Sequence, residues 1–171
     1  PVKKSSVYQT NHTWMTGEAM RTREFWVIIA AFTFATMGIG ISTSQSLIFL
    51  VQDRGIDAIL AASALGTVGL MGAAGRLSGG VLGDYYEPRL IMAAGLTLEL
   101  IGMVLLNYSL NTTMVYAYAV LVGFGFGMTY LSLPTLIANY FSAHDYAKLI
   151  ANSYMLVVPV SALGPVIAGY T

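Results

Sequence analysis

Residues 58–83 read AILAASALGTVGLMGAAGRLSGGVLG, with Arg76 as the one charged side chain in the run. A helix rises 1.5 Å per residue, and a bilayer core of about 30 Å takes about 20 apolar residues. The stretch is long enough to cross and too apolar to be wetted. Working outward from it, further apolar runs cover residues 25–51, 90–106, 114–141 and 149–170. Short polar connections at 52–57, 84–89, 107–113 and 142–148 separate them. With no water inside the bilayer, each backbone must satisfy its own hydrogen bonds, so the runs are expected to be helices. Five buried helices of a soluble domain would need amphipathic partners to cover them, and the sequence contains none. The expected fold class is all-α, a polytopic transmembrane helical bundle. Its domains are a linker over residues 1–24 and a five-helix transmembrane domain over residues 25–171.

Composition agrees with that class. Of 171 residues, 56% are hydrophobic and only 9% charged, and mean hydropathy is +0.69. A soluble domain carries about 25% charged residues. Eight basic and eight acidic residues balance to zero, so there is no basic footprint for nucleic acid. The absence of cysteine excludes disulfides, thiolate nucleophiles and thiolate metal sites. No cofactor or metal is expected. The chain starts at Pro1 and stops at Thr171 directly after an apolar run, which reads as a piece of a longer protein.

Lys3, Lys4, Arg21, Arg23, Arg89 and Lys148 all fall on one side of the five-span arrangement, and only Arg54 lies in the loops of the other. The positive-inside rule then makes the N-terminal segment cytoplasmic, in a multi-pass protein of the cell (plasma or inner) membrane. Residues 1–13, rich in Ser, Thr, Asn, Gln and Lys, read as a flexible linker, and Trp26 sits near the interface at the first helix. Glycosylation-type triplets begin at Asn11, Asn107 and Asn111, a pattern common by chance.

The second run carries glycine at 66, 69, 72, 75, 79, 80 and 83. Each lowers helix propensity by about 1 kcal/mol in water. In membranes the return is close backbone approach, as in the small-xxx-small pattern of Gly75, Gly79 and Gly83. Gly123 and Gly127 repeat it in the fourth run. The series Gly123-Phe-Gly125-Phe-Gly127 follows no strand and lies inside an apolar span, so it is no nucleotide loop.

Gly80-Val-Leu-Gly-Asp84-Tyr-Tyr-Glu-Pro-Arg89 joins the second and third runs. It resembles the G-x-L-x-D-R-x-G-R-R/K loop of the major facilitator superfamily, keeping Gly80, Leu82, Asp84 and Arg89 and departing at Tyr85, Glu87 and Pro88. Within that superfamily the oxalate/formate antiporter and monocarboxylate porter group is most similar. Gly75-Arg76, Gly80 and Asp84 resemble its G-R-x-x-x-G-x-x-x-D pattern. Gly123, Gly127, Pro134 and Phe141 resemble its glycine-rich tenth helix, and Leu163-Gly-Pro165 with Ala168-Gly169 resembles the end of its eleventh. The resemblance implies helices seven to eleven of a C-terminal half, without the twelfth helix or the six-helix N-terminal half. It further implies a secondary active transporter of a small organic anion, and a loop of Gly80, Asp84 and Arg89 that takes part in gating.

Arg76 lies about seven residues, or ~10 Å, inside its helix end. An Arg at a membrane helix centre costs ~2.5–3.5 kcal/mol on insertion scales, and somewhat less at this depth. Gly69, Gly72, Ala73, Gly79, Gly80 and Gly83 lie within about 60° of it on a helical wheel, so it is expected to face protein or a cavity. Its functional use is to bind a substrate carboxylate with its planar fork; its structural use is an internal ion pair or snorkelling. Glu99, flanked by Gly95 and Gly102 on one face, is expected to pair with Arg76, to carry a proton, or to be structural. Gln45, near Ser42 in the first helix, suits either a water-filled pathway or helix-to-helix hydrogen bonding. Tyr130, on the face of Gly123, Gly127 and Pro134, lines the cavity or packs.

Oxalate antiporters bear a Lys in the eleventh helix, and residues 149–170 contain none, so the resemblance implies a monoanion. Gly72 stands where proton-linked monocarboxylate porters place an aspartate before the Arg, which leaves the coupling ion open. An enzyme would need clustered His or carboxylates, yet His12 and His144 lie outside the spans and no two carboxylates share a helix face. A channel would show a selectivity signature or charge ring. The remaining alternatives are a sugar or drug porter of the same superfamily and a non-transporting structural membrane subunit. The expected partners are a small-molecule anion, the lipid bilayer and the missing half.

Overall fold

The computed structural model describes residues 7–108, 111–141 and 146–170, the side chain of Tyr170 excepted. Lys3, Lys4, His144 and most of the connection 142–148 lie outside the described residues. The short helix α1 (Thr16–Ala19) precedes α2 (Arg23–Ile48), which continues into a π-helical turn at Phe49–Asp53. Then come α3 (Ala58–Gly83), α4 (Pro88–Asn107), α5 (Thr112–Phe141), α6 (Tyr146–Ser161) and α7 (Leu163–Tyr170). No strand occurs among the described residues. Five helical stretches, counting α6 and α7 as one, are long and apolar enough to span a bilayer.

Side chains explain where the helices start. The Asp57 carboxylate accepts from the amides of Ile59 (2.9 Å) and Leu60 (3.1 Å) and caps α3. Thr22 accepts from Phe25 N at 3.3 Å and caps α2. Pro88 opens α4, a position where its missing N–H costs nothing. The apolar run 149–170 reads as one span, but the structure breaks it at Ala162 and restarts at Leu163. The restart places Pro165 in the first turn of α7, where no amide is needed.

Helix α5 is the axis of the bundle. Its glycines at 123 and 127 face α3, and Gly125 faces α4. Successive helical positions turn by 100°, so residues two apart point to nearly opposite sides. A methyl group at Gly79 would stand 3.1 Å from Met128 Cα, and one at Gly125 would stand 2.5 Å from the Gly95 carbonyl oxygen. A methyl group at Gly75 would press still closer on the Phe124 carbonyl, and one at Gly127 on that of Gly72. Backbones meet at these points, and every added carbon would push a helix away. The pattern of Gly75, Gly79 and Gly83 holds for its first two members only, since Gly83, like Gly66 and Gly69, has nothing within 4 Å of such a methyl.

Helix α2 packs on α5, α6 and α7. Two apolar clusters fill the interior. One, at the end bearing Arg23, gathers Phe25, Phe32, Met92, Leu133, Phe141 and Leu149; the other gathers Leu50, Ala61, Val68, Leu106, Val115 and Tyr118. Phe34, Ile59, Leu70, Leu77 and Met155 stand on the outside, where a bilayer would solvate them.

The described part of the segment read as a flexible linker is bound down. Thr10 N donates to Asn139 O at 2.9 Å, and Tyr8 N donates to a Glu87 carboxylate oxygen at 2.5 Å. Trp14 meets Phe141 edge-on at 6.0 Å. Residues 8–14 thereby lie across the ends of α4 and α5.

Candidate functional site

Arg76 projects from the edge of the α3 face that packs on α5. Gly72, Gly75 and Gly79 are buried in that contact, whereas Arg76 is exposed. Its backbone amide lies against Gly127, and its guanidinium carbon stands 4.8 Å from the centroid of the Tyr130 ring. Tyr130 is half-buried, one turn beyond Phe126, whose ring is 5.8 Å away. Phe32 of α2 sits between Tyr130 and Tyr154 of α6, 6.0 Å from each, and the Tyr130 and Tyr154 side chains themselves interact. The result is a cation held on the face of an aromatic group supplied by three helices. A guanidinium on a ring face keeps its N–H groups available at its edge.

Glu99 does not pair with Arg76. Helix α5 stands between them, with Arg76 on its Gly127 side and Glu99 on its Gly125 side. Among the described residues the one carboxylate–cation pair is Glu87 with Arg89, at 3.6 Å. Glu99 is 4% exposed and faces Gly38 of α2 instead.

Gln45 is also apart from Arg76. Its amide donates to Pro165 O at 3.3 Å and lies against Gly169, tying α2 to α7. Phe32, the α2 residue that touches Tyr130, is thirteen positions earlier, or ~20 Å along the helix. The structure brings Arg76 and Tyr130 together and leaves Gln45 in a helix-to-helix bond.

Gly80 lies in the last turn of α3, not in the connection to α4, and a methyl placed on it would stand 3.6 Å from the Leu131 side chain, while Asp84 ends α3 with its side chain exposed. Arg89 reaches Glu87, which also holds Tyr8 N. In the sequence Glu87 stands out only as a departure from the loop pattern, because its contact with Tyr8 depends on a segment distant in the chain. Phe126 was legible, being four residues before Tyr130 on one helix. Phe32 and Tyr154 come from other helices and gave no local signal.

Among the described residues no group of His, Asp and Glu could hold a metal ion. The arrangement can bind an anion at Arg76, with an aromatic wall beside it.

Residues 3–171 match the family model described as Major Facilitator Superfamily. Over 138 residues the chain is 29% identical to a protein described as an uncharacterized MFS-type transporter, YhjX, of Escherichia coli (strain K12). The match covers 77% of this chain and 33% of that relative, so the chain spans about a third of the relative's length.

Proposed function

The chain belongs to the major facilitator superfamily, and from that premise we propose that it is part of a secondary active transporter for a small organic carboxylate. The mode is antiport or ion-coupled symport. The observation that carries this is Arg76, a guanidinium within a span that is seated on Tyr130 and pairs with no carboxylate among the described residues. Such a group is suited to a bidentate grip on a carboxylate, with the ring beneath it fixing its position. The other described Arg and Lys residues, Arg21, Arg23, Arg54, Arg89 and Lys148, sit at helix ends or in loops, so the substrate is a monoanion. Tyr130 lines the site beside Arg76. Gly80, Asp84 and Arg89, around the connection from α3 to α4, act in gating, and the contact of Arg89 with Glu87 supports this.

Five helices supply one wall of a rocking pathway, and a six-helix half of the same protein supplies the other. The distribution of Lys and Arg supports a reading in which the Arg23 end is cytoplasmic and the membrane is that of the cell. The cation–π contact also favours a second reading, in which Arg76 is structural and the protein is a sugar or drug porter. Counterflow in proteoliposomes containing the full-length protein separates the two. Exchange of formate, lactate or pyruvate is expected; uptake of neutral sugars or hydrophobic cations with no carboxylate response would support the second.

A further inference from the structure

The Arg76 site leaves one buried carboxyl group among the described residues unused. Glu99 stands midway along α4, between the two apolar clusters, and neither carboxylate oxygen has a hydrogen-bond partner. A methyl group at Gly38 would lie 2.6 Å from its Oε1, so the missing side chain on α2 is what makes room for the carboxyl group. The Ile39 backbone is adjacent without completing a hydrogen bond of normal geometry. On the α5 side, Gly125 approaches the Glu99 amide. The Thr129 hydroxyl there donates to Gly125 O at 3.0 Å. One turn along α2 from Gly38, the Ser42 hydroxyl is paired with Tyr118 at 2.6 Å.

No charged residue of the packed helices faces Glu99. Beyond Glu24, α2 has none, and α5 has none at all. Its phenols at 118 and 130 are engaged with Ser42 and with Arg76. Arg76 itself is on the far side of α5. A carboxylate excluded from water needs a compensating positive charge, and no described residue supplies one.

We propose that Glu99 is the site of the coupling cation, where a proton or a sodium ion neutralises the carboxylate in the contact between α2 and α4 at Gly38. Either cation brings one positive charge to the carboxylate, the proton by bonding to one oxygen and the sodium ion together with further oxygens that the parted helices would have to supply. Access requires α2 and α4 to part at Gly38, so loading is linked to helix movement. The inference rests on the transport reading but not on the carboxylate class of the substrate.

The test uses the full-length protein in proteoliposomes, with a pH gradient and a sodium gradient imposed separately on whichever substrate the wild type counterflows. One of the two gradients is expected to accelerate wild-type uptake, and which one identifies the cation. In Glu99→Gln that acceleration should vanish while counterflow persists. A wild type that responds to neither gradient, or a Gln variant that responds as the wild type does, overturns the proposal. Should Glu99→Gln also lose counterflow, Glu99→Asp decides. A several-fold shift in the half-saturating proton or sodium concentration supports the site, and an unchanged value overturns it. A wild type that moves sugars instead of carboxylates sinks the substrate reading and leaves these outcomes interpretable.

Discussion

The Arg76 guanidinium carbon lies 4.8 Å from the centre of the Tyr130 ring, joining α3 to α5 above a backbone contact too close to admit a single methyl group. The pair is positioned by glycines. Gly127 lets the Arg76 amide approach α5, and Tyr130 follows one turn later.

Removing the ring tests what it contributes. Tyr130→Leu deletes the cation–π contact, worth about 0.5–2 kcal/mol, and removes a ring contact from both Phe32 and Phe126. Affinity for a carboxylate should fall about 2- to 30-fold in binding measurements on the full-length protein. Tyr130→Phe keeps the face and should stay near wild type. Equal loss in both would assign the effect to the hydroxyl.

The glycine contacts predict a position-dependent series. Gly125→Ala drives a methyl against the Gly95 carbonyl, with backbone on both sides, and should cost about 1–3 kcal/mol through forced helix displacement. Gly69→Ala meets nothing within 4 Å and should be neutral or slightly stabilising. Thermal unfolding in detergent ranks them, and a Gly125→Ala protein as stable as Gly69→Ala would contradict the packing.

Tyr118 and Ser42 share a hydrogen bond of 2.6 Å, and both are buried. Tyr118→Phe leaves the Ser42 hydroxyl without that partner and should lower stability by about 1–3 kcal/mol. Adding Ser42→Ala should recover part of the loss, because no polar group is then stranded. Additive losses in the double-mutant cycle would deny the coupling.

How much of this was legible follows from what each feature depends on. The five spans were readable because hydropathy and length are local, and so was the close packing of the glycine-rich helices. The placement of Gly125 opposite Gly123 and Gly127 follows from the 100° step, but which helix it meets does not. The pairing of Arg76 with Glu99 failed because it depended on how α3 and α4 are arranged around α5. Gln45 likewise went to Pro165 across a helix pair with no local signature. The break at Ala162 was marked by Pro159 and Pro165 yet masked by an unbroken apolar run. The docking of residues 8–14 depended on Asn139 and Glu87, far along the chain.

Topology gives an independent check. Cysteines replacing Asn11 and Asn111 should react with a membrane-impermeant reagent from opposite faces, the first from the cytoplasm. Labelling of both from one face would contradict the odd number of spans between them.

The most direct measurement is the thermal stability of full-length wild type, Arg76→Lys and Arg76→Gln, with and without formate, lactate or pyruvate. If Arg76 grips a carboxylate, the anion stabilises the wild type, stabilises Arg76→Lys only at higher concentration because the planar fork is gone, and has no effect on Arg76→Gln. Without ligand Arg76→Lys should unfold near the wild-type temperature and Arg76→Gln slightly below it, since Arg76 holds no ion pair among the described residues and the Gln variant gives up only the contact with the Tyr130 ring. Carboxylate-induced stabilisation that persists in Arg76→Gln would contradict the account.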